Sequence, residues 1–163
     1  MHAPPPNAAH ARIEVRYAET DQMGIVHHAN YLVWFEQART RLCSDAGFHY
    51  ADIERRGYLL LVTGAQLSYR GPSRYGDEVD VACWVARVGS RGVTFAYAVT
   101  RGDTQLATGT TEHIWVDAQS RKPTRFPADL HGPFERFLPA RPESLPESRP
   151  QPGASRQADG RRS

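Results

Sequence analysis

Cysteine is nearly absent from the 163 residues: only Cys43 and Cys83 occur. Neither stands in a Cys-x-x-Cys pair or another zinc-ligand spacing, so no metal site is expected. One lies in a helical pattern and the other in a strand pattern. Isolated thiols of this kind read as buried free cysteines, which suits a reducing compartment. Lysine is scarcer still, since Lys122 is the sole lysine among 20 basic residues. The formal net charge of +2 is too small to suggest a nucleic-acid partner. No stretch approaches the roughly 18 apolar residues of a membrane-crossing helix. The opening MHAPPPNAAHAR has no apolar core of a secretory signal. The expectation is a cytoplasmic protein with no membrane insertion. There is also no Gly-x-Ser-x-Gly elbow, no His-Glu-x-x-His pair and no phosphate-cradling Gly-x-x-x-x-Gly-Lys loop, which disfavours serine-hydrolase, zinc-protease and P-loop chemistry.

What is present has the balance of a soluble domain, with 40% hydrophobic and 23% charged residues. Residues 11–138 form the expected domain. From Pro139 the composition turns to Pro, Ser, Arg and Gly, and 139–163 is expected to be a disordered tail that cannot bury enough surface to offset its ordering entropy. Within the domain, Ile13, Val15 and Tyr17 alternate with polar residues, which predicts a first strand ending near Ala18. Tyr31, Trp34, Phe35, Ala38, Leu42 and Ala46 then fall at helical spacing, with Asn30 as N-cap and Gly47 as the stop. A short helical turn is expected over 50–56. Four strands follow, over 59–69, from Gly76-Asp77 to Val85, over 93–100 and over 105–116, joined by turns at Gly71-Pro72, Gly89–Gly92 and Arg101–Asp103. A terminal helix is expected over 127–138. The order predicts an α+β domain, an antiparallel sheet with one main helix against it. The run Tyr31–Phe35 is so apolar that the helix is expected to be well covered, even enveloped by a curved sheet.

The stretch Tyr17 to Tyr31 carries the chemistry. It places Asp21 in a Gly24-containing loop just before a helix, with His27 and His28 at the helix entrance. Free N–H groups at a helix N-terminus, aided by the dipole, can hold a developing oxyanion. A carboxylate beside them can act as base or nucleophile, and a histidine can orient water or move a proton. Glu19 and Glu36 could assist. Such a set suits acyl transfer. The same residues also read as a turn, a cap and a satisfied histidine, and spacing alone leaves both readings open.

The stretch VRYAETDQMGIVHHANYLVWFEQAR closely resembles the signature of the YbgC-like and 4-hydroxybenzoyl-CoA thioesterases, a hotdog-fold family. Asp21, Gly24, His28, Asn30, Tyr31, Phe35, Glu36, Ala38 and Arg39 stand in step with it, and a weaker likeness continues through LSYRGPSRYGDEV to Val116. The resemblance implies a sheet wrapped around one long central α-helix. It implies an acyl-CoA thioesterase with Asp21, His28 and Tyr17 as catalytic residues. Gly24 and Asn30 belong to the implied substrate site, and Arg70, Arg74, Ser90, Arg91 and Gly92 are implied contacts for the coenzyme A part of the substrate. No cofactor is implied. A homodimer or homotetramer is, because in this family the site lies between subunits. His27 stands where relatives often carry an aromatic residue. The alternatives are an acyl-carrier-protein thioesterase and a non-catalytic acyl-CoA-binding protein associated with the Tol-Pal system.

Overall fold

Alternation decides which way each strand faces. Val79, Val81, Cys83 and Val85 all point to one side of their strand and are each at most 1% exposed. A computed structural model describes residues 3–140. Its elements are β1 (Ala9–Glu14), α1 (Asn30–Asp45), α2 (Tyr50–Arg55), β2 (Tyr58–Tyr69), β3 (Glu78–Val88), β4 (Gly92–Arg101), β5 (Thr104–Asp117) and α3 (Ala128–Glu135). The strands make one sheet in the order β1-β3-β4-β5-β2, antiparallel at every junction. This is the expected α+β arrangement, with β1 and β2 as its two edges. From residue 141 onward, the tail expected over 139–163 lies outside the described residues.

The main helix α1 packs through Tyr31, Trp34, Phe35, Ala38, Leu42 and Cys43. These recur every three or four residues and so form one stripe. The expected envelope is only partial. Leu32 is 41% and Val33 46% exposed, because the single sheet covers one face of the helix and leaves its outer flank open. The contact that seats α1 is Phe35, whose ring lies flat on Tyr97 with centroids 4.1 Å apart. Beneath it, a Cβ on Gly109 would come within 2.4 Å of the Gln66 carbonyl oxygen and 2.6 Å of Phe35 Cε2. Close approach of helix to sheet therefore requires glycine there.

Two boundaries differ from the sequence reading. The first strand runs over Ala9–Glu14, with Ala9 opposite Cys83, and so begins two residues before the expected domain start. It stops before Ala18, because Tyr17–Glu19 closes into a 3-10 turn. The Glu19 carboxylate draws the Arg16 N–H into that turn and breaks the alternation. Asn30 is also not the cap. It is the first residue of α1, and its side-chain amide reaches back to the Glu19 carbonyl at 2.8 Å.

Behind α1 lies a buried polar set. Arg39 Nη1 donates to His113 Nε2 at 3.2 Å, and Thr111 Oγ1 bonds the same nitrogen at 2.8 Å and Tyr97 Oη at 2.8 Å. Burial, with the Arg39 charge beside it, lowers the His113 pKa to about 3. His113 is thus packed as a neutral side chain in the core.

Two outcomes follow from this packing. Gly109→Ala overpacks the Phe35–Tyr97 contact and lowers stability by about 1–3 kcal/mol, read from the urea midpoint. For His113 the folded pKa lies below the ordinary value, so the unfolded chain binds the extra proton. The neutral ring stabilises the fold fully above about pH 6.5, and that contribution is lost as pH falls toward about 3. His113→Gln should flatten the fall of the melting temperature across this window relative to wild type.

Candidate active site

Asp21 sits in a tight loop closed on itself. Its N–H donates to the Ile25 carbonyl at 2.9 Å, and its own carbonyl accepts the Gly24 N–H at 2.9 Å. Gly24 takes φ +70, a backbone geometry that side chains disfavour. One carboxylate oxygen, Oδ1, accepts the Met23 N–H at 2.8 Å, the short side-chain-to-backbone bond typical of a loop aspartate. The turn reading of Asp21 is therefore correct as far as it goes. It leaves Oδ2 without a partner among the described residues. The side chain is half-buried and lines a cavity of about 520 Å³.

The same cavity is lined by His28, Tyr31, Tyr69 and Arg70, with Met23, Ile25 and Pro72 among its apolar walls. Three bonds hold the chain on either side of His28. The His27 N–H donates to the Glu19 carbonyl at 2.8 Å, Tyr69 Oη donates to the His28 carbonyl at 3.0 Å, and the Asn30 amide donates to Glu19. The Ala29 N–H is taken by His27 Nδ1 at 3.3 Å, and no side chain caps the first turn of α1. Among the described residues the His28 N–H has no acceptor. A donor at the head of a 16-residue helix, with a half-buried carboxylate lining the same cavity, can stabilise negative charge on a carbonyl oxygen while the carboxylate handles a proton. The rings of His27 and His28 lie 4.1 Å apart at this entrance.

Other residues singled out in the sequence lie elsewhere. Tyr17 is 77% exposed and packs edge-on against Tyr75, outside the cavity wall. Arg74 is exposed, and its N–H donates to Asp77. Ser90, Arg91 and Gly92 form the β3–β4 turn. Gly92 pairs with Ile114, whereas Arg70 and Gly71 bond the Leu106 carbonyl. Eight residues of β5 separate those points, roughly 27 Å along a strand. One chain therefore does not bring that turn to Asp21. Glu36 is exposed on α1. Among the described residues no cluster of His, Cys, Asp or Glu could hold a metal ion, and no helix is long and apolar enough to cross a membrane.

Sequence reasoning missed Tyr69 and Ser73. Ser73 is fully buried, accepts the Val26 N–H through its carbonyl at 2.8 Å, and meets Tyr31 Oη at 3.2 Å. Tyr69 stands 41 residues from His28, so no local pattern could pair them. The only available signal was their place beside the Gly71-Pro72 break. Burial, with Tyr31 nearby, raises the Tyr69 phenol above its ordinary range, so it remains a proton donor at neutral pH.

Comparison with known proteins gives concordant results. The profile of the thioesterase-like superfamily matches residues 15–134. YneP of Bacillus subtilis, whose name assigns it provisionally to the acyl-CoA thioesterases, is 43% identical over 128 residues, 76% of this chain and 93% of that protein. The acyl-CoA thioesterase YbgC of Haemophilus influenzae is 28% identical over 123 residues, 75% of this chain and 90% of its own length. Among solved structures, the DHNA-CoA thioesterase of Staphylococcus aureus superposes with a TM-score of 0.76 at 34% identity, covering 79% of this chain and 89% of the other. A hypothetical protein of Thermus thermophilus gives 0.76 at 38% identity, covering 79% and 98%.

The Tyr69 contact has a measurable worth. Tyr69→Phe removes the single bond to the His28 carbonyl and should lower stability by about 1 kcal/mol, read as a shifted urea midpoint with an unchanged slope.

Proposed function

The chain belongs to the thioesterase-like hotdog superfamily, and on that premise we propose that it hydrolyses an acyl-CoA to a free acid and coenzyme A with Asp21 as the catalytic base. The observation that carries this reading is one cavity lined by the Asp21 carboxylate and by His28, whose N–H is unsatisfied at the head of α1. The thioester carbonyl oxygen accepts that N–H. Asp21 Oδ2 takes a proton from water as the water oxygen bonds to the carbonyl carbon. Charge collects on the carbonyl oxygen, where the fixed N–H and the helix dipole stabilise it without reorganisation. The carbonyl then re-forms as the C–S bond breaks, and the coenzyme A thiolate leaves and takes up the proton that Asp21 holds, which restores the carboxylate. His28 orients the water. The reaction calls for no cofactor, since coenzyme A is part of the substrate.

The functional unit is proposed to be a homodimer, alone or paired into a tetramer. The edge strand β2 leaves Leu61 54%, Val62 50% and Tyr69 49% exposed, and Leu32 and Val33 of α1 are exposed as well. An open apolar edge favours pairing with another strand. A second copy pairing antiparallel about a two-fold axis sets the Leu59 end of one β2 beside the Tyr69 end of the other. That arrangement carries the partner's turn at Ser90–Gly92 toward this chain's cavity, where Arg70 already stands, and supplies donors for the phosphates of coenzyme A. Tyr17, on the exposed rim of the same loop, assists from there. The two buried free thiols accord with a cytoplasmic location.

The test is thiol release from short-chain, long-chain and aromatic acyl-CoAs, with acyl-carrier-protein thioesters alongside. Asp21→Asn should lower kcat by about 10²-fold or more, the scale of a lost general base. Near-normal turnover in that variant overturns the assignment. Turnover confined to carrier-protein thioesters keeps the chemistry and changes the carrier.

A further inference from the structure

Glu19 is a buried carboxylate that the reaction above does not use. It is 3% exposed and lies two residues before Asp21, yet it does not line the cavity. Oε2 accepts the Arg16 N–H at 2.8 Å, and Oε1 accepts the Arg16 guanidinium at 3.1 Å and the Trp34 indole N–H at 3.1 Å. Burial opposes the charged form. The Arg16 backbone and side-chain bonds, the Trp34 bond and the Arg16 charge outweigh it and hold the carboxyl below its ordinary range. The main chain of the same residue carries a second set of bonds, because its carbonyl accepts the His27 N–H and the Asn30 amide, each at 2.8 Å. Trp34 itself is fully buried in the core, so its N–H is a fixed point.

We infer that Glu19 is a positioning residue that fixes Asp21 and the His28 N–H relative to each other. Its side chain ties the loop entrance to Trp34 on α1. Its carbonyl ties the loop exit at His27 and the first helical residue at Asn30. The segment carrying Asp21 is thus closed at both ends on one residue, which itself touches no substrate. This inference rests on the thioesterase reading of the site. Glu19→Gln keeps the shape but presents an amide N–H where an acceptor is needed, against either the Arg16 N–H or the Arg16 and Trp34 donors. The clamp loosens while the cavity walls stay.

The experiment compares wild type, Glu19→Gln, Trp34→Phe, the double variant of these two, and Asp21→Asn by steady-state thiol release, melting temperature and amide hydrogen exchange at His27. Small misplacement of reacting groups costs up to about 10²-fold, so Glu19→Gln should lose about tenfold or more in kcat, with KM changed by less than about threefold. Trp34→Phe should lose kcat in the same direction, and the double variant should fall little below Glu19→Gln alone, because both remove one linkage. His27 exchange should quicken in both variants while core strand amides keep their protection. Wild-type kcat and wild-type His27 exchange in both single variants would overturn the inference. So would a kcat loss that only follows the loss of folded protein. If Glu19→Gln fails to fold, Trp34→Phe decides alone by the same readings. A wild type inactive on every thioester would refute the proposed function instead, and His27 exchange would still decide whether Glu19 clamps the loop.

Discussion

Phe35 lies flat on Tyr97 above a strand position where nothing larger than glycine fits, and this contact sets where α1 meets the sheet. A helix seated so closely has little freedom to slide or tilt, because protein interiors are packed like crystals. The consequences run toward its N-terminus. Tyr31, one turn earlier, is carried against Tyr69 and Ser73, and the first residue of α1 is brought within reach of the Glu19 carbonyl. The loop that carries Asp21 then has to close over the end of β2, and the cavity is the space left between them.

Most backbone groups around the His28 N–H are satisfied by near neighbours. His27 bonds Glu19, Ala29 bonds His27, Asn30 bonds the His27 carbonyl, and the His28 carbonyl is taken by Tyr69. A helix start must leave several N–H groups without intrahelical partners, and here most find one nearby. The His28 N–H, which finds none among the described residues, belongs to a residue that lines the cavity with Asp21. Its geometry is fixed before any substrate arrives, which is the condition for stabilising charge that appears only in the transition state.

On the proposed reading, the cavity of one chain is half of the site. The wall formed by Asp21, His28 and Tyr69 is complete, while the turn at Ser90–Gly92 stands at the opposite end of the sheet. The apolar edge of β2 is where a second copy is proposed to pair. On the proposed reading, one chain supplies the Asp21 cavity and a second copy completes the binding of the larger part of the substrate.

Much of this was legible in the sequence. The alternation of Val79 to Val85, the helical stripe from Tyr31 to Leu42 and the turn residues between strands depend on local geometry, with periods of 2 and 3.6 that the order of residues alone displays. Asp21 and His28 were legible because they share one short motif. The end of the first strand and the role of Asn30 were not, since both depend on Glu19 accepting bonds from groups that its buried position brings near. By itself the sequence determined the order and type of the elements and the place of the Asp21 loop before the main helix, because those are properties of neighbouring residues. Only the tertiary structure decided that Tyr69 meets His28 across 41 residues, that Glu19 is buried against Trp34, and that the β3–β4 turn lies far from Asp21. Those relations come from strand register and helix seating, which are set by packing between distant segments and leave no local trace.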